Sequence, residues 1–149
     1  MTSAPGSRAE RARALARQVG FDLVGVASPD PPASLRFFGE WIARGRAGEM
    51  AYLTGQQDRR SDARTAFPWA RSILCLGLQY DTPQPYSTAS PSGGWIARYA
   101  WGDDYHDVMK AMLERLVEAL RAEWGAFEAR AYVDTGPIVE RAYAAAAGL

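Results

Sequence analysis

A chain of 149 residues, with 48% hydrophobic and 23% charged side chains, is long enough to bury one core and too apolar to be a disordered tail. Its net charge of zero argues against strong non-specific affinity for a polyanion, and no apolar run approaches the roughly 20 residues that span a bilayer. A single cysteine, Cys75, and a single histidine, His106, exclude an internal disulfide, a multi-histidine metal site and an iron–sulfur cluster held by this chain alone.

The first residues lead into charge without an apolar stretch, so no secretion signal is expected and the chain reads as cytoplasmic. Residues 1–75 carry eleven Arg against seven acids, and residues 76–149 carry six bases against ten acids. Phosphate contacts are therefore sought in the first half, around Arg59, Arg60 and Arg64.

In chain order, residues 7–19 have helical spacing, with Ala12, Leu15, Ala16 and Val19 on one side and Gly20 as the stop. A strand is expected over 21–27. After Asp30-Pro31-Pro32, a second helix is expected over 33–44, with Leu35, Phe38, Trp41 and Ile42 on its apolar stripe. A short turn and helix follow at 48–53, then a polar, Arg-bearing stretch at 55–66 and a strand over 71–80. Cys75 lies in that strand with nothing cationic beside it, which suits an inert buried thiol. Pro83, Pro85, Pro91, Gly93 and Gly94 predict a long loop over 81–94, of the kind that forms functional rims.

A short strand is expected at 95–101, followed by a long helix at 103–124. That helix carries Val108, Met109, Met112, Leu113, Leu116, Val117, Leu120 and Trp124 on one face, Asp103 and Asp104 at its start and Gly125 at its end. Residues 127–133 alternate apolar and polar side chains and predict a strand, and 137–147 predict the last helix. The order α-β-α-β-α-β-α implies an α/β (α+β) fold, a layered sheet with flanking helices, in one domain over 1–149. The apolar ending Ala147-Gly148-Leu149 leads us to expect a fragment of a longer protein.

Two segments carry candidate chemistry. In Val133-Asp134-Thr135-Gly136-Pro137-Ile138-Val139-Glu140-Arg141, a carboxylate sits where a strand gives way to a helix; Asp134 or Thr135 could equally just cap that helix. In Arg98-Tyr99-Ala100-Trp101-Gly102-Asp103-Asp104-Tyr105-His106, flat rings, donors and acids crowd together. That mix suits a large planar ligand, and it also suits an ordinary helix start with acidic caps.

Together with Gly48-Glu49-Met50-Ala51-Tyr52-Leu53 and the tail Ala146-Ala147-Gly148-Leu149, these segments resemble the epoxyqueuosine reductase family over residues 8–149. The resemblance implies reduction of epoxyqueuosine to queuosine at the wobble position of tRNA, using cobalamin and two [4Fe–4S] clusters. It places Asp134 on the family's proton donor, Arg60 on an arginine contacting cobalamin, and Ala97 on a corrin-contacting position. Arg98, Tyr99 and His106 fall near the ligand, and Arg141 serves the substrate or orients Asp134, unless it is simply a surface arginine. For Asp134 to act as an acid, desolvation under the ligand must outweigh a helix N-terminus that favours carboxylate.

The family's C-x-x-C-x-x-C-x-x-x-C-P runs are absent here, so neither cluster can be held by this chain. The resemblance therefore implies an N-terminal, cobalamin- and substrate-facing part, with a ferredoxin-like half and an external electron donor supplied elsewhere. Two other readings stay open: a non-catalytic cobalamin- or tRNA-binding module, and a small-molecule flavin or cobalamin reductase of similar architecture.

Overall fold

The computed structural model describes residues 7–86 and 92–149. The expected loop over 81–94 lies partly outside the described residues, and Pro91 and residues 1–6 lie wholly outside them. Helix α1 (Arg8–Val19) opens with a reciprocal cap: Ser7 accepts the Glu10 N–H, and Glu10 accepts the Ser7 N–H. It closes on Gly20, whose φ of 117° lies in the left-handed region where glycine carries no Cβ penalty.

Strand β1 (Leu23–Ala27) follows, then a 3-10 turn (Ala33–Leu35) running directly into α2 (Arg36–Ala43). Three short helices come next: α3 (Ala51–Thr54), α4 (Gln57–Ser61) and α5 (Ala63–Ala66). Strand β2 (Ile73–Gly77), a second 3-10 turn (Arg98–Ala100), α6 (Tyr105–Trp124) and α7 (Glu140–Ala146) complete the order.

Among the described residues the sheet has two strands, β1 and β2, paired antiparallel with Gly25 opposite Cys75. Two expected strands are corrected by the structure. Residues 127–133 join no ladder, because alternation describes a strand's faces and no edge among the described residues pairs with this segment. Residues 95–101 form no strand; within them Arg98–Ala100 make the 3-10 turn. The last helix begins at Glu140 rather than 137, and its first cap, Val139, makes no side-chain bond. Neither Asp134 nor Thr135 caps it, so the plain capping role does not apply.

The main core lies between α1, the sheet and α6, where Leu15, Ala16, Phe21, Val24, Met112, Leu116 and Leu120 are buried together. A second core joins Leu35, Ala63 and Tyr143, with Tyr143 at 0% exposure. The Tyr143 hydroxyl accepts the Ala63 N–H at 3.2 Å and donates to the Pro29 carbonyl at 3.4 Å, tying α7 to α5 and to the loop after β1. Gly25 lets the end of α7 approach β1: a Cβ there would sit 2.7 Å from Ala147. Both cores thus fix where α6 starts and where the segment before α7 must run.

Candidate functional site

Asp134 adopts φ 58°, the single non-glycine positive φ among the described residues. The left-handed region costs most side chains about 1 kcal/mol or more, though Asp and Asn tolerate it best. The bend is held from several directions. Gly136 is buried beneath the Tyr132 ring, where a Cβ would lie 2.9 Å from its Cγ, and Tyr132 packs on Phe67 with ring centroids 5.8 Å apart. Arg60 on α4 donates from Nη1 to the Ile138 carbonyl at 3.3 Å, and its guanidinium lies 5.6 Å from the Tyr52 ring.

A further contact comes from α6. The Tyr105 hydroxyl donates a hydrogen bond to Oδ2 of Asp134. That bond to a carboxylate pushes the Tyr105 hydroxyl up to about 12. Next along the helix, the His106 ring stacks on Tyr105 at 4.1 Å, and Tyr99 meets Tyr105 edge-on at 6.3 Å. Asp104 caps α6 by accepting the His106 N–H at 2.9 Å, and its same oxygen lies 2.8 Å from His106 Nδ1. These two bonds hold the Asp104 carboxyl below the ordinary range.

Glu140 also interacts with Asp134. Burial is the main cause that raises its carboxyl; the Asp134 carboxyl adds to the rise, and the Asp134 backbone and Arg60 oppose it. The cluster thus holds two neighbouring carboxyls, Asp134 exposed at the bend and Glu140 half-buried. Sequence reasoning assigned no role to Tyr105 or Glu140, although both lie inside the two segments quoted above. Their signal was position rather than composition: each is the residue that starts a helix facing the bend.

The other expected residues fall nearby with different duties. Arg98 is largely enclosed, with 15% of its side chain exposed; it binds Asp81 at 2.9 Å and the Thr82 and Gln84 carbonyls. Its guanidinium also lies 4.1 Å from the Tyr86 ring, so it anchors residues 81–86 onto the turn at 98–100. Ala97 caps that turn and is exposed. Arg141 is exposed on the first turn of α7. Of the arginines expected to meet phosphate, Arg64 pairs with Asp30, Arg60 is tied to Ile138, and Arg59 stays exposed on α4.

A rim of rings surrounds the site: Tyr80 and Tyr99 pack edge-on at 6.4 Å, and Trp95 is 73% exposed beside Tyr86. The surface is open, so nothing in the described residues dries Asp134. The Cys75 thiol is raised by burial, as an inert thiol in a strand should be. No group of His, Cys, Asp and Glu among the described residues is arranged to hold a metal ion, and no helix there is long and apolar enough to cross a membrane.

Such an arrangement can present a carboxyl at a fixed bend beneath a flat, polar ligand. Comparison with known proteins agrees on which family uses this frame. The profile described as epoxyqueuosine reductase QueG, DUF1730, matches residues 60–135, which include the arginine, the aromatic turn and the Asp134 bend. The epoxyqueuosine reductase of Gloeobacter violaceus is 39% identical over 143 residues, 95% of this chain and 44% of that protein.

An epoxyqueuosine reductase solved with a tRNA-Tyr epoxyqueuosine-modified stem loop superposes with a TM-score of 0.68 at 29% identity, covering 91% of this chain and 36% of that one. The Bacillus subtilis enzyme superposes with a TM-score of 0.71 at 28% identity, covering 93% and 37%. That structure is described as having its aspartate catalytic loop swung out of the active site. The chain therefore spans less than half the length of the relatives it matches. The profile covers just over half of it, in the part that carries the site, and the chain belongs to the epoxyqueuosine reductase family.

Proposed function

We propose that this chain is the substrate-facing part of an enzyme that reduces epoxyqueuosine to queuosine in tRNA, with Asp134 as the proton donor. The observation that carries this reading is the Asp134 bend: an exposed carboxylate in a costly backbone conformation, held by α4 and α6 and left free of any capping duty. The relative solved with a modified stem loop supports tRNA as the partner. The relative whose catalytic loop carries an aspartate supports the acid.

The reaction breaks both C–O bonds of an epoxide and forms a C=C bond. It consumes two electrons and two protons and releases water. Oxygen leaves readily only if it is protonated as the bond breaks, which is worth typically 10²–10⁴-fold in rate. Asp134 would hold that proton at the open face, and the neighbouring Glu140 is a second carboxyl from which a proton could be resupplied.

Cobalamin, the family's electron carrier, would supply the two electrons when bound. The residues present fit such a group in two respects. Ala97 leaves the peptide beside the aromatic turn unobstructed, and Tyr99 exposes a ring next to Asp134's partner Tyr105, with Trp95 and Ile96 exposed in the same segment. Arg60 and Tyr99 would border the ligand. Arg98 would act at one remove by anchoring the loop, and His106 by backing Tyr105. Arg141 would meet the tRNA or the substrate at the exposed start of α7. One cysteine cannot hold the family's two [4Fe–4S] clusters, so a ferredoxin-like half and an external donor must deliver the electrons.

The test is Asp134→Asn in the full-length protein, assayed for queuosine formation on an epoxyqueuosine-bearing stem loop. Asn keeps the left-handed bend and removes the proton. The expected result is a loss of about 10²–10⁴-fold in turnover with cobalamin and stem-loop binding retained. Unchanged turnover would refute the assignment. Stem-loop binding is also expected to weaken steeply as salt rises, since phosphate contacts release counterions.

A further inference from the structure

We propose that Tyr105 is a positioning residue that latches the Asp134 bend in its working place and orients the carboxyl toward the open face. The inference rests on the reading of Asp134 as proton donor and goes beyond it, because it names what keeps that donor in place. The hydroxyl of Tyr105 donates to Oδ2, one of the two carboxyl oxygens. With Tyr105 on Oδ2, the transferable proton is the one carried on Oδ1, with Glu140 as its neighbouring carboxyl. After transfer, the bond from Tyr105 steadies the carboxylate left behind, since hydrogen bonds to an ionised acceptor are the stronger kind.

Three features make this a latch rather than a passing contact. The ring of Tyr105 is clasped by the stacked His106 ring on one side and the Tyr99 edge on another. His106 is itself pinned by Asp104 at the cap of α6, so the hydroxyl projects from a rigid helix start. With its titration raised to about 12, the hydroxyl stays a donor throughout the working range of pH.

Elsewhere the bend is held by Arg60 on the Ile138 carbonyl and by Glu140 beside Asp134, and Tyr105 is its contact from α6. Thr135 makes a tight N–H bond to the Val133 carbonyl at 2.7 Å, and Asp134 sits at a positive φ that an unrestrained chain would leave. The Bacillus subtilis relative, described with its aspartate catalytic loop swung out, shows that a loop of this kind has a second position in that protein.

The experiment compares the full-length protein with its Tyr105→Phe variant, which keeps the ring packing and deletes only the hydroxyl. Hydrogen exchange of the peptide covering residues 133–138 is read alongside turnover on an epoxyqueuosine-bearing stem loop. Exchange there is expected to rise about 10-fold, which corresponds to the loss of one hydrogen bond, with peptides from α1 and α6 unchanged. Turnover is expected to fall in kcat with KM for the stem loop unchanged, and the loss is expected to vanish in an Asp134→Asn background.

Unchanged exchange at 133–138 would overturn the latch. Raised exchange with full turnover, in a protein whose Asp134→Asn variant is inactive, would overturn the positioning role. Raised exchange together with an active Asp134→Asn variant would leave the latch standing and remove Asp134 as the acid, so the two ideas fail separately. Should Tyr105→Phe lose α6 protection, His106→Ala replaces it. That variant frees the ring while leaving the hydroxyl, and the same rise at 133–138 is expected.

Discussion

Between α1, the sheet and α6, Leu15, Ala16, Phe21 and Leu116 are at most 8% exposed, whereas around Asp134 the rings of Tyr80, Trp95 and Tyr99 leave more than half their surface to solvent. The first region spends its apolar side chains on closing a core. The second keeps them on display and spends polar bonds on geometry: Tyr105 on Asp134, Arg60 on Ile138, and Arg98 on the 81–84 backbone. Apolar burial stabilises in proportion to area, while the net value of a hydrogen bond in water is small and its directional value is large. Damage to the two regions should therefore register in different assays.

The largest expected effect is on the core. Leu116→Ala removes a side chain 2% exposed between α1 and the sheet and should destabilise by about 2–5 kcal/mol, read as a shift of the urea midpoint. A smaller shift would mean that α6 can settle into the space and that the core is softer than its burial implies.

Tyr143→Phe probes the second core, where the ring would still fill its site but the Ala63 N–H would lose its acceptor. A buried donor left unpaired costs about 1–3 kcal/mol, and the same midpoint measurement decides it. The site should be touched too, because Tyr143 lies one turn beyond Glu140 on α7.

Glu140 sharpens the comparison through pH. Its carboxyl is raised in the folded state, so the unfolded chain gives up that proton first as pH rises from the ordinary glutamate range. Stability is then lost progressively until the folded carboxyl also ionises. Glu140→Gln should remove that slope. The variant should match the parent below the ordinary glutamate range and become the more stable of the two as pH approaches neutrality. Asp134 and Cys75 are the acidic groups facing Glu140, and Arg60 is the base, so the comparison is clean only with those three intact. Thermal melts of both proteins across pH 4–8 would check the sign, and a constant offset would contradict it.

The smallest expected effect lies on the rim. Trp95→Ala should change stability by no more than about 0.5 kcal/mol, because the ring is 73% exposed, while weakening any ligand that stacks there. A large loss of stability would show that the rim belongs to the core after all.

Much of the scaffold was legible in the residues. The periodic apolar faces of α1 and α6, the stop at Gly20 and the acid at the start of α6 are local properties, and the structure places each within a residue or two of its expected position. The strands at 21–27 and 71–80 were also found, trimmed to Leu23–Ala27 and Ile73–Gly77. What failed was pairing. Residues 127–133 have the alternation of a strand, yet a strand exists only where another edge accepts its hydrogen bonds, and none among the described residues does.

The same division runs through the site. Asp134, Arg60 and the aromatic turn could be singled out as residue types in order along the chain. Tyr105 meeting Asp134, and Glu140 neighbouring it, could not, because those contacts join residues 29 positions apart or depend on where α7 begins. Residue order alone carried the faces of α1 and α6, the stop at Gly20 and the acidic cap of α6, since each depends on neighbours a few positions away. It took the packed fold to turn Asp134 left-handed under a tyrosine latch and to make Arg98 an anchor. Side-chain partners are chosen by how packed elements bring distant residues together, and no local pattern encodes that choice.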